Sequence, residues 1–242
     1  MCEFISAILT KDNRLFCDPE HTDSHEDLID VAGLADDTAD PARMTFARVG
    51  YVPDPNKDLT KKSSWELYID QLIVPTWLTD KRRSLLRDRM WSIAKKVVVT
   101  DHRDLLLGGC YIIAGSASVR RIKNSRIYAV YESAKIDYVC ESAIIVNVHG
   151  SAEIGSVSGS AGIVRVFDSA KIGSVFDSAK IGCVSGSAKI GNVHDSAKIG
   201  SVYESARIGY VSGSAKIGNV HDSAVIGNVY GSAKIENDTR EK

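Results

Sequence analysis

The chain has no apolar run approaching the roughly 18 consecutive residues that a membrane span requires. Its N-terminus lacks a basic stretch followed by a long apolar segment, so neither a signal peptide nor membrane association is expected. It also lacks an excess of charge: 30 Lys and Arg face 31 Asp and Glu, a formal net charge of −1. Only a mild split is hidden there, with 15 basic against 19 acidic residues in 1–115 and 15 against 12 in 116–242. Neither part is a polycation suited to nucleic acid or a polyanion resembling it, and nucleic acid is not expected as a partner. Closely spaced cysteines are missing too. Cys2, Cys17, Cys110, Cys140 and Cys183 are odd in number and far apart, which excludes a disulfide scaffold or a zinc ribbon and fits a reducing, cytoplasmic setting. No cofactor is expected.

What the chain does have is a repeat. From Ser133 to Ile235 it reiterates Ser-Ala-Lys-Ile-Gly-x-Val-x-x with a period of nine residues and no slip of register. Ala recurs from Ala134 to Ala233, Ile from Ile127 to Ile235 and Val from Val130 to Val229. Such self-similarity marks stacked units that bury their apolar faces against their neighbours. Ala and Ile, two apart, share one face of an extended strand while the Lys between them points to water. The Val three residues beyond Ile breaks the alternation, and a bend at Gly-x, as at Gly191-Asn192 or Gly218-Asn219, returns it inward. Asp195-Ser196, Gly213-Ser214 and similar pairs punctuate the units, and together with the β-branched residues they oppose a helix. The expected fold is mainly β: a parallel β-solenoid over 108–235, a small α+β domain over 1–107 and a polar tail over 236–242. Each buried Ile contributes roughly 1.5–3 kcal/mol, and 13 registered positions sustain a narrow core.

The residue after Val runs Ser158, Phe167, Phe176, then Ser185, His194, Tyr203, then Ser212, His221, Tyr230. Matches at a lag of 27 residues predict three nine-residue sides per coil, with separate Ser, Phe/His and aromatic columns. The alternative is two sides, an 18-residue coil, with the 27-residue lag left by duplication of a block. The Gly-Gly-x-Gly-x-Asp turn of calcium-binding nonapeptide rolls is missing, and one acid per unit supplies too few ligands. Segments such as Ser196-Ala197-Lys198-Ile199-Gly200 look like a left-handed hexapeptide turn with three residues added. No inserted loop carries the catalytic His that acyl transfer in that family needs, and a Thr-x-Thr ice-binding face is absent. The Lys171, Lys180, Lys189, Lys198 and Lys216 column, balanced by Asp177, Asp195, Glu204 and Asp222, reads as a solubilising exterior.

Residues 1–107 show no repeat. Cys2–Leu9 and Arg14–Cys17 form an expected hairpin around Lys11-Asp12-Asn13. Ser24-His25-Glu26-Asp27 fits a capping box that opens a helix through Ala32, stopped at Gly33. Met44–Val52 and Trp65–Ile73 read as strands, and Thr79-Asp80 caps a basic helix to about Lys96, with Leu86, Met90 and Ile93 as its buried face. Cys110–Asn124 reads as an imperfect first rung, with one unit shortened near Ser125. The domain is expected to cap or tether the solenoid, whose open end exposes unpaired strand groups. The charged tail from Glu236 to Lys242 is expected to discourage end-to-end stacking.

Candidate chemistry is sparse. Cys2, exposed as an N-terminal nucleophile once Met1 is removed, carries its own α-amine as base. The opening Met1-Cys2-Glu3-Phe4, followed by strand, turn and strand, resembles that of N-terminal-nucleophile amidohydrolases over about twenty residues, without their supporting Arg and Asn motifs. The competing reading of Cys2 is a core strand residue. His21 and His25 sit in a segment rich in metal-capable groups, although a cap at Ser24 leaves His21 outside the helix. Asp101-His102-Arg103-Asp104 reads as a solvated connection. Phe167, Phe176, His194, Tyr203, His221 and Tyr230 are the candidate binding residues: pointing outward they form a partly aromatic strip of the kind used in protein contacts, and packed into corners they are structural.

Met-Cys-Glu-Phe-Ile-Ser-Ala-Ile through Asp-Pro-Glu-His-Thr-Asp-Ser-His-Glu-Asp-Leu-Ile, with the later Ser-Ala-x-Ile-x-x-Val repeats, resembles a group of uncharacterised phage and prophage proteins. The resemblance implies a phage or bacterial source and carries no catalytic residue with it. The expected function is that of a non-enzymatic binding or scaffold protein with a protein partner, such as a host factor. An amidohydrolase using Cys2 and a self-assembling structural element are the alternatives.

Overall fold

The computed structural model describes residues 5–19, 21–22, 24–35, 39–54 and 57–240; Cys2 lies outside them. Two compact units divide the chain, Met1–Val98 and Val99–Lys242. In the first, β1 (Ile5–Thr10), β2 (Leu15–Phe16), β3 (Phe46–Pro53) and β4 (Trp65–Ile69) form an antiparallel sheet in the order β2–β1–β3–β4. All of β1 is buried, so both of its faces are covered. The hairpin turn after β1 places Asn13 at a φ of 72°, a left-handed conformation that Asn tolerates. Helix α1 (His25–Ala32) begins where the Ser24 side chain accepts the Asp27 N–H and ends at left-handed Gly33. Helix α2 (Asp80–Val97) is capped by Thr79 and buries Leu86, Met90, Ala94 and Val97. Ala94 thus takes the place that the spacing assigned to Ile93, which is only half-buried. No described helix is long and apolar enough to cross a membrane.

A parallel β-solenoid of about eight turns, with about 18 residues per turn, runs from residue 98 on and makes up the second unit. One face is a nine-stranded sheet that starts with Val98–Val99, Cys110–Ile113 and Arg126–Val130 and ends with Lys234–Asp238. The other has eight strands, from His102–Leu107 and Ser118–Lys123 to Val225–Val229. Pairing is in register at a lag of 18: Lys171 meets Lys189, Ile172 meets Ile190 and Val175 meets Val193. The coil therefore has two sides, not three. Each unit sends one Ala, one Ile and one Val inward, a set that fills the gap between two facing sheets, whereas a triangular coil encloses a wider interior. The 27-residue lag corresponds to a duplicated block one and a half coils long, so successive copies fall on opposite sides.

Position by position, the repeat accounts for the coil. Ile172, Ile181, Ile190 and Ile199 are each 2% exposed, and the neighbouring Val and Ala residues are fully enclosed. The bend after each Ile is visible in the pairing, which passes over the Gly position in every rung of the array. A Cβ on Gly200 would stand 2.4 Å from the Gly182 carbonyl oxygen, and one on Gly173 equally close to that of Gly155. Glycine is what lets each bend nest on the one before it. Asp137, Val146 and Val164 occupy the same position in earlier coils, and nothing in the structure explains why those rungs accept a side chain.

The turns stack as well. The Ala N–H bonds back three residues, as from Ala197 to His194 O at 3.2 Å, and in most turns the Ser N–H reaches a carbonyl oxygen of the preceding coil, as from Ser196 to Asp177 O at 2.9 Å. The residue between adopts positive φ: 58° at Asp195, 59° at Glu204 and 66° at Gly213. Its acidic members project onto the coil before. Asp177 accepts the Gly159 N–H at 3.0 Å and Asp222 accepts the Glu204 N–H at 3.0 Å. These carboxylates are turn acceptors and do not lie along the Lys rows, which corrects the expected balance of the Lys column.

The solenoid begins earlier and ends later than the repeat motif. His102–Leu107 pairs with Ser118–Lys123 although it carries no Ser-Ala-x-Ile signature. At the far end the last strand runs through Asp238, inside the expected tail, and Asp238 occupies the place that Val220 holds one coil earlier. Arg240 pairs with Asp238 and donates to the Ala224 carbonyl oxygen at 3.2 Å. An ion pair thus stands at the end of a core otherwise built from aliphatic side chains.

Two outcomes are expected. Gly200→Ala should lower stability by about 1–3 kcal/mol, and Lys198→Ala by no more than about 0.5 kcal/mol, both read by thermal unfolding; equal melting of the two variants would remove the steric role of the bend. Replacing the terminal pair, Asp238→Val with Arg240→Ala, should shift the protein to larger species than wild type in sedimentation velocity, because it leaves an apolar, unpaired edge. An unchanged profile would deny the terminal ion pair a blocking role.

Candidate binding surfaces

The residues that follow Val form two corner columns. After the nine-stranded face come Tyr131, His149, Phe167, Ser185, Tyr203 and His221; after the eight-stranded face come Cys140, Ser158, Phe176, His194, Ser212 and Tyr230. The six sequence-derived candidates therefore divide, with Phe167, Tyr203 and His221 on one corner and Phe176, His194 and Tyr230 on the other. The separate Ser, Phe/His and aromatic columns expected from a three-sided coil do not form.

In-register stacking brings rings into contact where aromatic residues follow one another at the 18-residue lag. Tyr131, His149 and Phe167 form a continuous stack with centroid separations of 5.5 and 4.9 Å, and Phe176 stacks on His194 at 5.2 Å. Most of these side chains are half-buried, so the columns are part corner packing and part surface; Tyr230 is the most accessible at 55%. His194 Nδ1 lies 3.0 Å from the Asp195 carboxylate and His221 Nδ1 2.6 Å from Thr239 Oγ1.

His149, which sequence reasoning passed over, is a closely confined titratable group of the solenoid. Its ring lies between Tyr131 and Phe167, its Nε2 has no hydrogen-bond partner, and its Nδ1 is 3.8 Å from an Asp168 carboxylate oxygen. Burial, the dominant influence, pushes its pKa below the ordinary imidazole value, and the Asp168 and Glu132 carboxylates oppose that shift. Only its position in the 18-residue column reveals the sandwich.

Elsewhere the titratable candidates have other employment. His21 Nδ1 is 2.9 Å from the Asp18 carboxylate and largely exposed. His25 is buried, with Nε2 donating to the Val49 carbonyl oxygen at 3.0 Å and Nδ1 3.2 Å from Asp70, so it ties α1 to β3. Among the described residues no three His, Cys, Asp or Glu side chains come together as a metal group. On α2, Arg82 donates to the Lys11 carbonyl oxygen and Arg89 to that of Asn13, both in the β1–β2 turn. The described cysteines are free thiols. Burial, with a smaller contribution from Asp18, pushes the Cys17 pKa up to about 12, which suppresses its thiolate.

The flat faces carry rows of their own. Lys180, Lys198, Lys216 and Lys234 align in register on the nine-stranded face. On the eight-stranded face an open groove of about 620 Å³ lies over Gly155, Gly173, Gly191 and Gly209, beside Lys171, Lys189 and Arg207. Those glycines are the same bends that clear the neighbouring carbonyl groups, so the groove follows from the packing requirement of the coil. No family model, curated protein or solved structure matches this chain.

The depressed His149 pKa sets the sign of one pH effect. On acidification the unfolded chain, with imidazoles near the ordinary value of about 6.5, takes up this proton before the folded protein does. Stability from neutral His149 is thus lost as pH falls through that value towards the lower folded pKa. The melting temperature should drop between pH 7.5 and 5.5, and His149→Phe should reduce the drop. The same pH dependence in wild type and variant would show that the stacked imidazole does not govern it.

Proposed function

We propose that this chain is a non-enzymatic binding protein in which a stiff solenoid presents rows of side chains to a protein partner. The observation that carries the reading is the pair of corner columns, where His194 and Tyr230 remain accessible on a backbone held by hydrogen bonds at every coil. A ring on such a support loses little freedom on binding, and aromatic side chains on rigid supports make efficient anchors. The N-terminal resemblance to phage and prophage proteins supports a bacterial host cytoplasm as the place of action and a host protein as the partner.

The test is affinity capture from host lysate with the full chain beside a variant in which His194, Tyr203, His221 and Tyr230 are replaced by Ala, its fold checked by circular dichroism and melting. A partner retained by wild type and lost by the folded variant is expected. Equal retention by both would remove the corners from the interface, and no retained protein would count against a protein partner.

A further inference from the structure

We propose that the groove on the eight-stranded face binds an acidic carbohydrate polymer laid along the solenoid axis. This inference goes beyond the protein-binding reading and uses different residues on a different surface. Its first support is a cation row. Lys171 pairs with Lys189 and Lys189 with Arg207 in strict register, so the three charges follow one another at the inter-strand spacing of about 4.8 Å. Glu153 lies 3.0 Å from Lys171 and 3.5 Å from Lys135, serving that end of the row. Among the described residues, Lys189 and Arg207 have no carboxylate partner. Like charges directly opposite one another in a sheet are destabilising, and an anionic chain running along the row relieves that repulsion.

Shape is the second support. Gly155, Gly173, Gly191 and Gly209 leave four coils of the groove floor without side chains, with Asp137 at the same position one coil earlier, so a ligand can approach the sheet backbone over the Lys171–Arg207 stretch. The third is the residue that follows each of these floor positions. The registered column is Tyr138, Ser156, Ser174, Asn192 and Tyr210. Its central members offer hydroxyl and amide groups that donate to and accept from sugar hydroxyls. Tyr210, 51% exposed, stands at one end with an apolar ring face for a sugar ring, and Tyr138, 48% exposed, stands at the other with the Arg121 guanidinium over its ring at 5.9 Å. Four inter-strand steps separate them, about 19 Å.

Other polyanions fit less well. Single-stranded nucleic acid binds by stacking successive bases on aromatic side chains, whereas Ser and Asn separate the two tyrosines here. An acidic peptide that adds as a strand needs a sheet edge, and this is a sheet face. The nine-stranded face supplies an internal comparison: its Lys180–Lys234 row is flanked by Cys183, Ser201, Asn219 and Asn237, with no aromatic residue.

The full chain should be titrated calorimetrically with a polyuronate, neutral dextran, inorganic polyphosphate and single-stranded DNA at several salt concentrations. Polyuronate should bind with an affinity that falls with salt, and dextran should not bind. Lys189→Gln with Arg207→Gln should weaken polyuronate about tenfold, whereas Lys198→Gln with Lys216→Gln should leave it unchanged. Tyr210→Ser, which installs a residue that other coils carry at this position, should weaken polyuronate but not polyphosphate. No polyuronate binding overturns the proposal. So does equal weakening by the two double charge variants, tighter binding of DNA than of polyuronate, or indifference to Tyr210→Ser, each of which marks a non-selective cation row. The corner variant used for the protein partner should bind polyuronate normally, so failure of either reading is seen separately.

Discussion

Everything in the solenoid depends on one constraint: each coil must lie on the previous one in register, with like residue on like at a lag of 18. Backbone hydrogen bonds link coil to coil along both strands and turns. The Ile, Val and Ala ladders give that register its free energy, because slippage by one residue would turn the inward set to solvent. Glycine at the bend provides clearance for the neighbouring carbonyl group, and carboxylates at left-handed turn positions accept N–H groups from the coil before. A nine-residue sentence is therefore a set of steric and hydrogen-bonding requirements written once per side.

The same register determines what reaches solvent. Any outward position becomes a row, so a lysine becomes a line of cations and an aromatic residue at the turn becomes a stack where the next coil repeats it. Binding properties in such a protein are inseparable from its packing. The glycine floor of the groove exists for the sake of the bend, and the stacked rings at the corners also fill them. The array ends where an outward kind of residue turns up at an inward position: Asp238 stands in the Val ladder and is held by Arg240.

Much of this was legible in the sequence because it is local or strictly periodic. Ala, Ile and Val were assigned inward from their spacing alone, the Gly-x bend from the three-residue step to Val, and the caps at Ser24, Gly33 and Thr79 from residue type. Coil length was not legible. The 27-residue duplication is a stronger signal at the surface positions than the 18-residue register, and Ile, Val and Ala repeat identically at both lags. Cys110–Asn124 was legible as an imperfect rung, but the strand before it escaped notice because His102–Leu107 joins the sheet by backbone pairing without the motif. The acids of the turns were misassigned to the Lys rows because net charge is visible in a sequence and the direction of a carboxylate is not. The His149 sandwich and the groove with its two end tyrosines both needed the true coil length before their members could be placed together.

Cross-linking tests that coil length most directly. Cys183 pairs with Ser201 across neighbouring coils of the nine-stranded face, a separation within disulfide reach. Tyr210, 27 residues beyond Cys183, belongs to the eight-stranded face. Mild oxidation of a Ser201→Cys variant, with peptide mapping of the monomer, should yield a 183–201 disulfide, and a Tyr210→Cys variant should yield no 183–210 disulfide. The reverse pattern would contradict the two-sided coil and with it the arrangement of every row described above.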